Sequence, residues 1–241
     1  MITLQPVAGD LKIYSDAVGT PVTDLAHDVN VLAQTYVDLL MGTYVAHLVR
    51  GCKTEDEVKQ FCDSNKEVIL KRINAMVDWL KRTDLFEAPA STKYHDAFPG
   101  GLVYHSLKVY NNMIDLINTK AFHSVDIVSA SLVALVHDWC KTNYYKPYQK
   151  NVKDDNTGQW HQELAWSVDQ QGVPLGHGVS SMFLAQKFFN LTTEEALAIR
   201  WHMGRWNACE IELGELQKAN EKVPLVYMLQ FADQLACTVY C

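Results

Sequence analysis

The chain has 241 residues, of which 48% are hydrophobic, and its formal net charge is −7. This length and composition predict a soluble globular protein with a sizeable core. The acidic charge argues against a protein that coats duplex nucleic acid, because that affinity comes largely from Lys and Arg side chains that neutralise phosphates. The six cysteines form no CxxC pair, which argues against a zinc ribbon and a secreted disulfide framework and favours a reducing, cytoplasmic location. No signal-peptide pattern and no apolar run of roughly 18 residues is present, so neither export nor membrane insertion is expected.

Residues 1–92 are predicted to form a leader followed by supporting helices. Residues 1–23 mix Gly and Pro with pieces of mixed polarity, which indicates an irregular leader with room for one short strand. In residues 24 to about 50, apolar side chains recur every three or four positions and predict a long helix. Thr54 and Glu57 then match a capping box ahead of one long or two shorter amphipathic helices. These helices are expected to support the core rather than to react.

Residues 93–241 are predicted to form the functional core, with residues 1–92 packed on it in one compact unit. Between the helical segments, residues 144–169 carry Tyr, Val and Trp on both sides of the polar turn KDDNTG, which predicts a β-hairpin. The predicted fold is therefore all-α, a helical bundle with a small β-hairpin insertion. Helical periods in this part occur at residues 102–118, 124–140, 192–203 and 224–240.

Six ionisable residues lie in apolar helical surroundings in this core, one or two per segment. A single histidine in such a place is more often a satisfied core residue than a ligand, but a carboxylate near a core is costly without a partner. Imidazoles and carboxylates from facing helices suit Fe, Mn, Co, Ni or Zn, and the absence of cysteine from the set argues against a closed structural zinc site. The six residues are His105, His137, Asp138, His177, His202 and Asp233.

The order His, His-Asp, His, His and a distal Asp resembles the HD-domain superfamily of metal-dependent phosphohydrolases over about residues 93–238. The resemblance implies one or two divalent metal ions that activate water and polarise a phosphoryl oxygen. His177 and His202 fall where members with two metals place additional ligands, and Asp138 would bridge the two ions. The four defining ligands would be His105, His137, Asp138 and Asp233.

Three further residues are candidates for contact with substrate. The segment HDWCK resembles the HD-x-x-K form of the superfamily, in which Lys141 would meet the substrate phosphate and act with Asp138 in catalysis; the alternative is an ordinary lysine at a helix C-terminus. Arg205 is a second candidate for phosphate contact, although the flanking tryptophans fit simple packing equally well. His95 and Asp96 form another His-Asp pair, but in a Pro/Gly loop, so they are assigned no metal. His95 is placed either at the rim of the pocket or on a surface loop.

The resemblance implies hydrolysis of a phosphomonoester or phosphodiester in a small, nucleotide-like substrate. One alternative is a 3′→5′ exonuclease on single-stranded nucleic acid, because the loop YHDAFPGG resembles exoribonucleases that carry an OB-fold. The acidic charge and the helical first 90 residues, which lack an obvious five-stranded barrel, disfavour it. The other alternative is a non-catalytic binding or regulatory domain. No membrane partner is expected, and the oligomeric state is left open.

Overall fold

The computed structural model describes residues 4, 11–23, 25, 28–169 and 175–238, and every element below lies within these ranges. Most of this part of the chain is helical, and its β structure is a two-stranded antiparallel hairpin, which confirms the prediction of a helical fold with a hairpin insertion. Short 3₁₀ helices lie at Trp139–Lys141, Gly204–Asn207 and Glu210–Glu212. The main elements are α1 (Leu11–Asp16), α2 (Val29–Leu48), α3 (Glu55–Lys81), α4 (Gly101–Ile117), α5 (Ile127–Val136), β1 (Tyr145–Lys153), β2 (Trp160–Val168), α6 (His177–Ala185), α7 (Thr193–Trp201), α8 (Leu213–Lys222) and α9 (Pro224–Thr238).

The N-terminal helices differ from the predictions in three details, and α2 and α3 each begin directly after a capping side chain. Helix α1 occupies part of the predicted irregular leader, and residues 11–23 contain no strand. Residues 1–3 and 5–10, the rest of the segment in which a short strand was allowed apart from residue 4, lie outside the described residues. Helix α2 begins later than predicted, because the Asp28 side chain accepts hydrogen bonds from the second and third helical amides. The Thr54 side chain caps α3, but the Glu57 carboxylate accepts from the amide of Lys53 instead of Thr54, so the capping box is half formed. Helix α3 is one continuous helix.

Helix α5 lies in the centre of the core. It is apolar on all sides, and the run from Ala130 to Val136 is fully buried, as expected for a helix surrounded by other elements. Helices α2, α4 and α7 all pack against it, and α4 and α7 also pack against α9. Its C-terminal end therefore delivers the residues that follow it to the interior and not to the surface.

Tyr36 of α2 ties this end of α5 in place. Its hydroxyl donates to the carbonyl oxygen of Leu135 at 2.5 Å and accepts from the indole nitrogen of Trp139 at 2.6 Å. All three residues are buried. Because Leu135 and Trp139 lie on either side of His137 and Asp138, these two bonds restrain the backbone that carries the His-Asp pair.

The hairpin follows the 3₁₀ helix at Trp139–Lys141 almost directly. Strands β1 and β2 pair in a continuous register from Tyr145 opposite Val168 to Lys153 opposite Trp160. The Asp154 carboxylate accepts two backbone hydrogen bonds inside the turn, and Gly158 has a φ of +71°, which together explain the predicted turn. Within the described ranges, none of the helices has both the length and the apolar character needed to cross a bilayer.

Candidate metal centre

The structure brings together the six ionisable side chains that were selected from the sequence. Helices α4 and α9 contribute one each from their interiors, while the ends of α5, α6 and α7 contribute the others. His177 is partly exposed, and the other five are buried. The members are His105 on α4, His137 and Asp138 after α5, His177 at the start of α6, His202 after α7 and Asp233 on α9.

One oxygen of Asp138 faces the first ligand set, which we define as His105, His137, Asp138 and Asp233. Asp138 Oδ2 lies 3.8 Å from His105 Nε2 and 3.5 Å from His137 Nε2. Asp233 Oδ1 lies 3.0 Å from His105 Nε2 and 4.0 Å from His137 Nε2. Two imidazole nitrogens and two carboxylate oxygens therefore converge on one point from three helices.

The other oxygen of Asp138 faces the second ligand set, which we define as Asp138, His177 and His202. Asp138 Oδ1 lies 2.8 Å from His177 Nε2 and 3.5 Å from His202 Nε2. The groups His105, His137, Asp138 and Asp138, His177, His202 each have ligand atoms within 4.8 Å of one another, so each could hold a metal ion. Asp138 belongs to both groups.

Two of the buried histidines are oriented to bind a cation through Nε2, because a backbone carbonyl contacts Nδ1 of each ring. Nδ1 of His137 lies 2.8 Å from the carbonyl oxygen of Ala134, and Nδ1 of His202 lies 2.7 Å from that of Ile199. A carbonyl only accepts, so Nδ1 of each ring carries a proton, and Nε2 of each ring faces the carboxylate of Asp138. Neither Nε2 has a hydrogen-bond partner. The lone pair of a neutral imidazole and a carboxylate oxygen repel each other in a buried site, and a cation between them removes the repulsion.

The charges in the cluster are set by burial and by the neighbouring groups. Burial lowers the pKa of His137 to about 4, so its ring is neutral and able to act as a ligand. Burial also lowers the pKa of His105, but the carboxylates of Asp233 and Asp96 outweigh it and raise that pKa above its ordinary value. Burial opposes ionisation of Asp138, yet the Lys141 ammonium and the histidines hold its pKa well below the usual range. The carboxylates are therefore ionised and suited to bind a metal.

Lys141 lies against the shared carboxylate. Its Nζ is 2.6 Å from Asp138 Oδ2, and its side chain is 11% exposed. Burial opposes its charge, but Asp138 outweighs that effect and raises the pKa of Lys141, so the side chain is positive. The hydroxyl of Tyr145 lies nearby, and burial raises its pKa to about 12. The predicted i to i+3 placement of Lys141 on the same face as Asp138 agrees with this contact.

Asp96 contacts the cluster and Lys108 contacts Asp96, although the sequence analysis assigned neither of them a role there. Asp96 Oδ2 lies 3.6 Å from His105 Nδ1, and Lys108 Nζ lies 2.9 Å from that same oxygen. Lys108 also donates to the carbonyl oxygen of Ala236 on α9 at 2.8 Å. The backbone of Asp96 has a φ of +46°, an uncommon value outside glycine. The second His-Asp pair in the loop and a lysine on the buried face of α4 were the available signals.

His95 and Cys237 also lie beside the cluster. The ring of His95 is 4.9 Å from that of His105, and burial lowers the pKa of His95 to about 4. Of the two positions considered from the sequence, the ring contact places His95 beside the cluster and not on a surface loop, whereas contact with substrate stays a prediction. Cys237 Sγ lies 3.8 Å from Asp233 Oδ1, and Cys140 Sγ lies 3.3 Å from His177 Nδ1.

Arg205 lies apart from the cluster. It is exposed and lines a surface cleft together with Leu213, Gln217 and Tyr227, and none of the six cluster residues lines that cleft. Its predicted contact with a phosphate therefore has no geometric support and stays a prediction.

Comparison of the chain with protein-family models, with curated proteins and with solved structures found no match. The resemblance to the HD-domain superfamily therefore stays a prediction from the order and spacing of the six residues.

Proposed function

We propose that this protein is a metal-dependent phosphohydrolase of the HD-domain type that hydrolyses a phosphomonoester or phosphodiester bond in a small, nucleotide-like substrate. One observation carries the proposal: the two oxygens of Asp138 face different pairs of histidines. A structural metal site needs one closed set of ligands, whereas two sets that share a carboxylate are typical of two-metal hydrolytic centres.

The ligand sets assign a role to each residue. The first set would hold one divalent ion and the second set another, chosen from Fe, Mn, Co, Ni and Zn, with Asp138 common to both. Such ions supply Lewis-acid activation of a water nucleophile and neutralise phosphate charge. The backbone carbonyls that hold His137 and His202 orient both rings so that Nε2 faces the shared carboxylate.

Lys141 would contact the substrate phosphate. It is positive, mostly buried and within 2.6 Å of the shared carboxylate, so a phosphate bound at the two ligand sets would lie next to it. A buried cation that faces developing negative charge stabilises the transition state more than an exposed one does. Lys141 would neutralise charge on the substrate phosphate and would not coordinate the ions, so its function differs from that of the ligands.

The experiment that tests the proposal combines metal analysis with a substrate screen. The purified protein is assayed for bound metal, and then with each candidate ion against phosphomonoesters, phosphodiesters, nucleotides and cyclic dinucleotides. We expect turnover that a chelator removes and that the metal restores. Bound metal without hydrolysis of any substrate, including single-stranded RNA and DNA, would favour the non-catalytic binding domain.

Variants separate the two ligand sets from the residue that contacts substrate. Asp138→Ala should lose activity and most of the bound metal, whereas His177→Ala and His202→Ala should lose mainly one ion. Lys141→Ala should reduce turnover by about 10²-fold without a loss of metal, since its ammonium would contact the phosphate and the Asp138 carboxylate but neither ion. Full metal occupancy in Asp138→Ala would contradict the shared role of this carboxylate.

A further inference from the structure

Cys237 lies on the same face of α9 as the ligand carboxylate. It follows Asp233 by four residues, so the two side chains are neighbours on the helix surface, and Sγ is 3.8 Å from Asp233 Oδ1. The thiol is partly buried. A sulfur atom is therefore placed at the edge of the first ligand set, although none of the six cluster residues is a cysteine.

A second ligand atom comes from His95, in the loop before α4. Its ring lies against that of His105, with 4.9 Å between the ring centroids. His95 Nε2 is buried without a hydrogen-bond partner. His105 is fully buried, and neither of its ring nitrogens makes a hydrogen bond of acceptable geometry, although carboxylates lie at 3.0 and 3.6 Å. Two adjacent imidazoles thus have nitrogen atoms without protein donors or acceptors in good geometry.

The three side chains form a group of their own. One ligand atom each from His95, His105 and Cys237 lie within 4.8 Å of one another. Nitrogen and sulfur ligands of a tetrahedral zinc ion stand about 3.3 to 3.6 Å apart, as bond lengths of ~2.0 and ~2.3 Å require. Side-chain movements of about 1 Å would therefore close the group on an ion.

We propose that His95, His105 and Cys237 form a third metal position, with sulfur among its ligands, which binds a thiophilic divalent cation such as Zn²⁺. The inference rests on the proposed metal centre, because His105 is common to this position and to the first ligand set. A neutral imidazole has one lone pair, so an ion at this position would take the place of the ion in the first ligand set. Binding forms a bond between Sγ and the ion while the thiol proton leaves to solvent, so no oxidant or reductant takes part. Thiolate favours Zn²⁺ and Co²⁺ over Mn²⁺, and this position should show that order.

Cobalt spectroscopy tests the position without relying on activity. Co²⁺ bound to thiolate gives an intense charge-transfer band in the near ultraviolet, whereas Co²⁺ bound only to nitrogen and oxygen gives weak visible bands. The protein is titrated with Co²⁺ in a background with Cys209→Ser and Cys241→Ser, which removes one exposed thiol and the C-terminal one. We expect the charge-transfer band to appear with saturable binding, and excess Zn²⁺ to abolish it.

Matched variants identify the sulfur atom. In the same background, Cys237→Ser should lose the charge-transfer band but keep the visible bands, and His95→Gln should weaken cobalt affinity at this position at least tenfold. Cys140→Ser should keep the band, because Cys140 contacts His177 and not His105. Retained visible bands and an unchanged circular dichroism spectrum show that each variant is folded.

The outcomes separate this inference from the proposed function. A band that survives in Cys237→Ser, or disappears in Cys140→Ser, overturns the third position. Visible cobalt bands without any charge-transfer band overturn it too, while the two histidine and carboxylate sets remain. Failure to bind cobalt at all overturns both the third position and the metal-dependent function.

Discussion

At the scale of single residues, the group that contacts Nδ1 of each histidine determines how Nε2 is oriented and what it can bind. Nδ1 of His137 and of His202 faces a backbone carbonyl, so no single side-chain substitution removes that orientation. His105 differs, because its Nδ1 faces the carboxylate of Asp96, which the buried ammonium of Lys108 holds in place. A carboxylate behind a ligand histidine orients the ring and raises its basicity.

Asp96 should therefore tune metal affinity without touching the ion. We expect Asp96→Ala to weaken binding at the first ligand set by about 10- to 100-fold, measured by competition with a chelator of known affinity. Lys108→Met is the control, since it breaks the same buried ion pair but leaves a carboxylate beside His105. An equal loss of affinity in both variants would show that general loosening of the loop, and not the Asp96 carboxylate, is responsible.

At the scale of elements, the Glu195 carboxylate holds α7, the helix that ends just before His202, against its neighbours. Glu195 completes the predicted capping box with Thr192, and the structure adds that it is fully buried. Its oxygens lie 2.6 Å from Nη2 of Arg50 and 3.3 Å from Nε2 of His47, both in the region of α2. The Ser129 hydroxyl on α5 donates to it at 2.9 Å. Three helices therefore meet at Glu195.

This network makes stability depend on pH. Burial alone would raise the pKa of Glu195, but the hydrogen bonds from His47, Thr192 and Arg50 outweigh it and lower the pKa from 4.5 to about 2. A carboxyl group with a lowered pKa in the folded state stabilises that state fully above pH 4.5. The contribution is lost as the pH falls towards 2. The shift corresponds to about 3 kcal/mol at neutral pH.

Glu195→Gln should therefore destabilise the protein by about 3 kcal/mol at pH 7 and progressively less as the pH falls from 4.5 towards 2. Urea unfolding at several pH values measures the difference. Glu194→Gln is the matched control, because Glu194 is exposed on the same turn and its substitution should cost less than about 0.5 kcal/mol. A penalty for Glu195→Gln that is independent of pH would contradict the assigned role of its charge.

The start of α4 depends on close backbone contact with the Asp96 loop. A Cβ atom at Gly101 would overlap the carbonyl oxygen of Asp96 and lie 3.2 Å from the amide of Ala90. Gly101→Ala should therefore separate α4 from the loop and lower the free energy of unfolding by about 3 kcal/mol in urea titrations.

Gly51→Ala provides the comparison, because a Cβ at Gly51 would meet nothing within 4 Å. Its effect should stay within about 0.5 kcal/mol. If both variants lost the same stability, the close approach at Gly101 would not be the cause.

At the scale of the whole molecule, charge distinguishes small substrates from long ones. The net charge of −7 opposes the approach of a polyanion, and long single strands require a track of Lys and Arg along the backbone. Lys141 supplies one positive charge beside the ligand sets, and Lys108 is occupied by Asp96. One phosphate can be neutralised in this way, but a strand of many phosphates cannot.

The protein should therefore hydrolyse small phosphate esters in preference to long nucleic acids, and salt should change the rate little, since few counterions are released on binding. Initial rates between low and high salt measure this for a mononucleotide and for a single-stranded oligonucleotide. Processive degradation of RNA or DNA with steep salt dependence, together with no activity on small esters, would instead support the exonuclease alternative.

The sequence by itself determined the elements whose cause is local. Helical periods, the cap at Thr192 and the turn at residues 153–158 depend on residues within about four positions of each other, so they can be identified without the fold. The six candidate ligands were found in the same way, as ionisable residues that interrupt apolar helices. Their role as metal ligands is still a prediction, although the fold brings all six together.

Only the tertiary structure decided which atoms meet across the chain. Three features depend on how helices far apart in sequence pack: the division of Asp138 between two pairs of histidines, the contact of Asp96 with His105, and the grouping of Cys237 with His95 and His105. The burial of Glu195 against Arg50 likewise joins residues 145 positions apart. No local period encodes such contacts, because they are set by the packing of α2, α4, α5, α6, α7 and α9 into one core. This packing also desolvates the polar side chains that the helices carry.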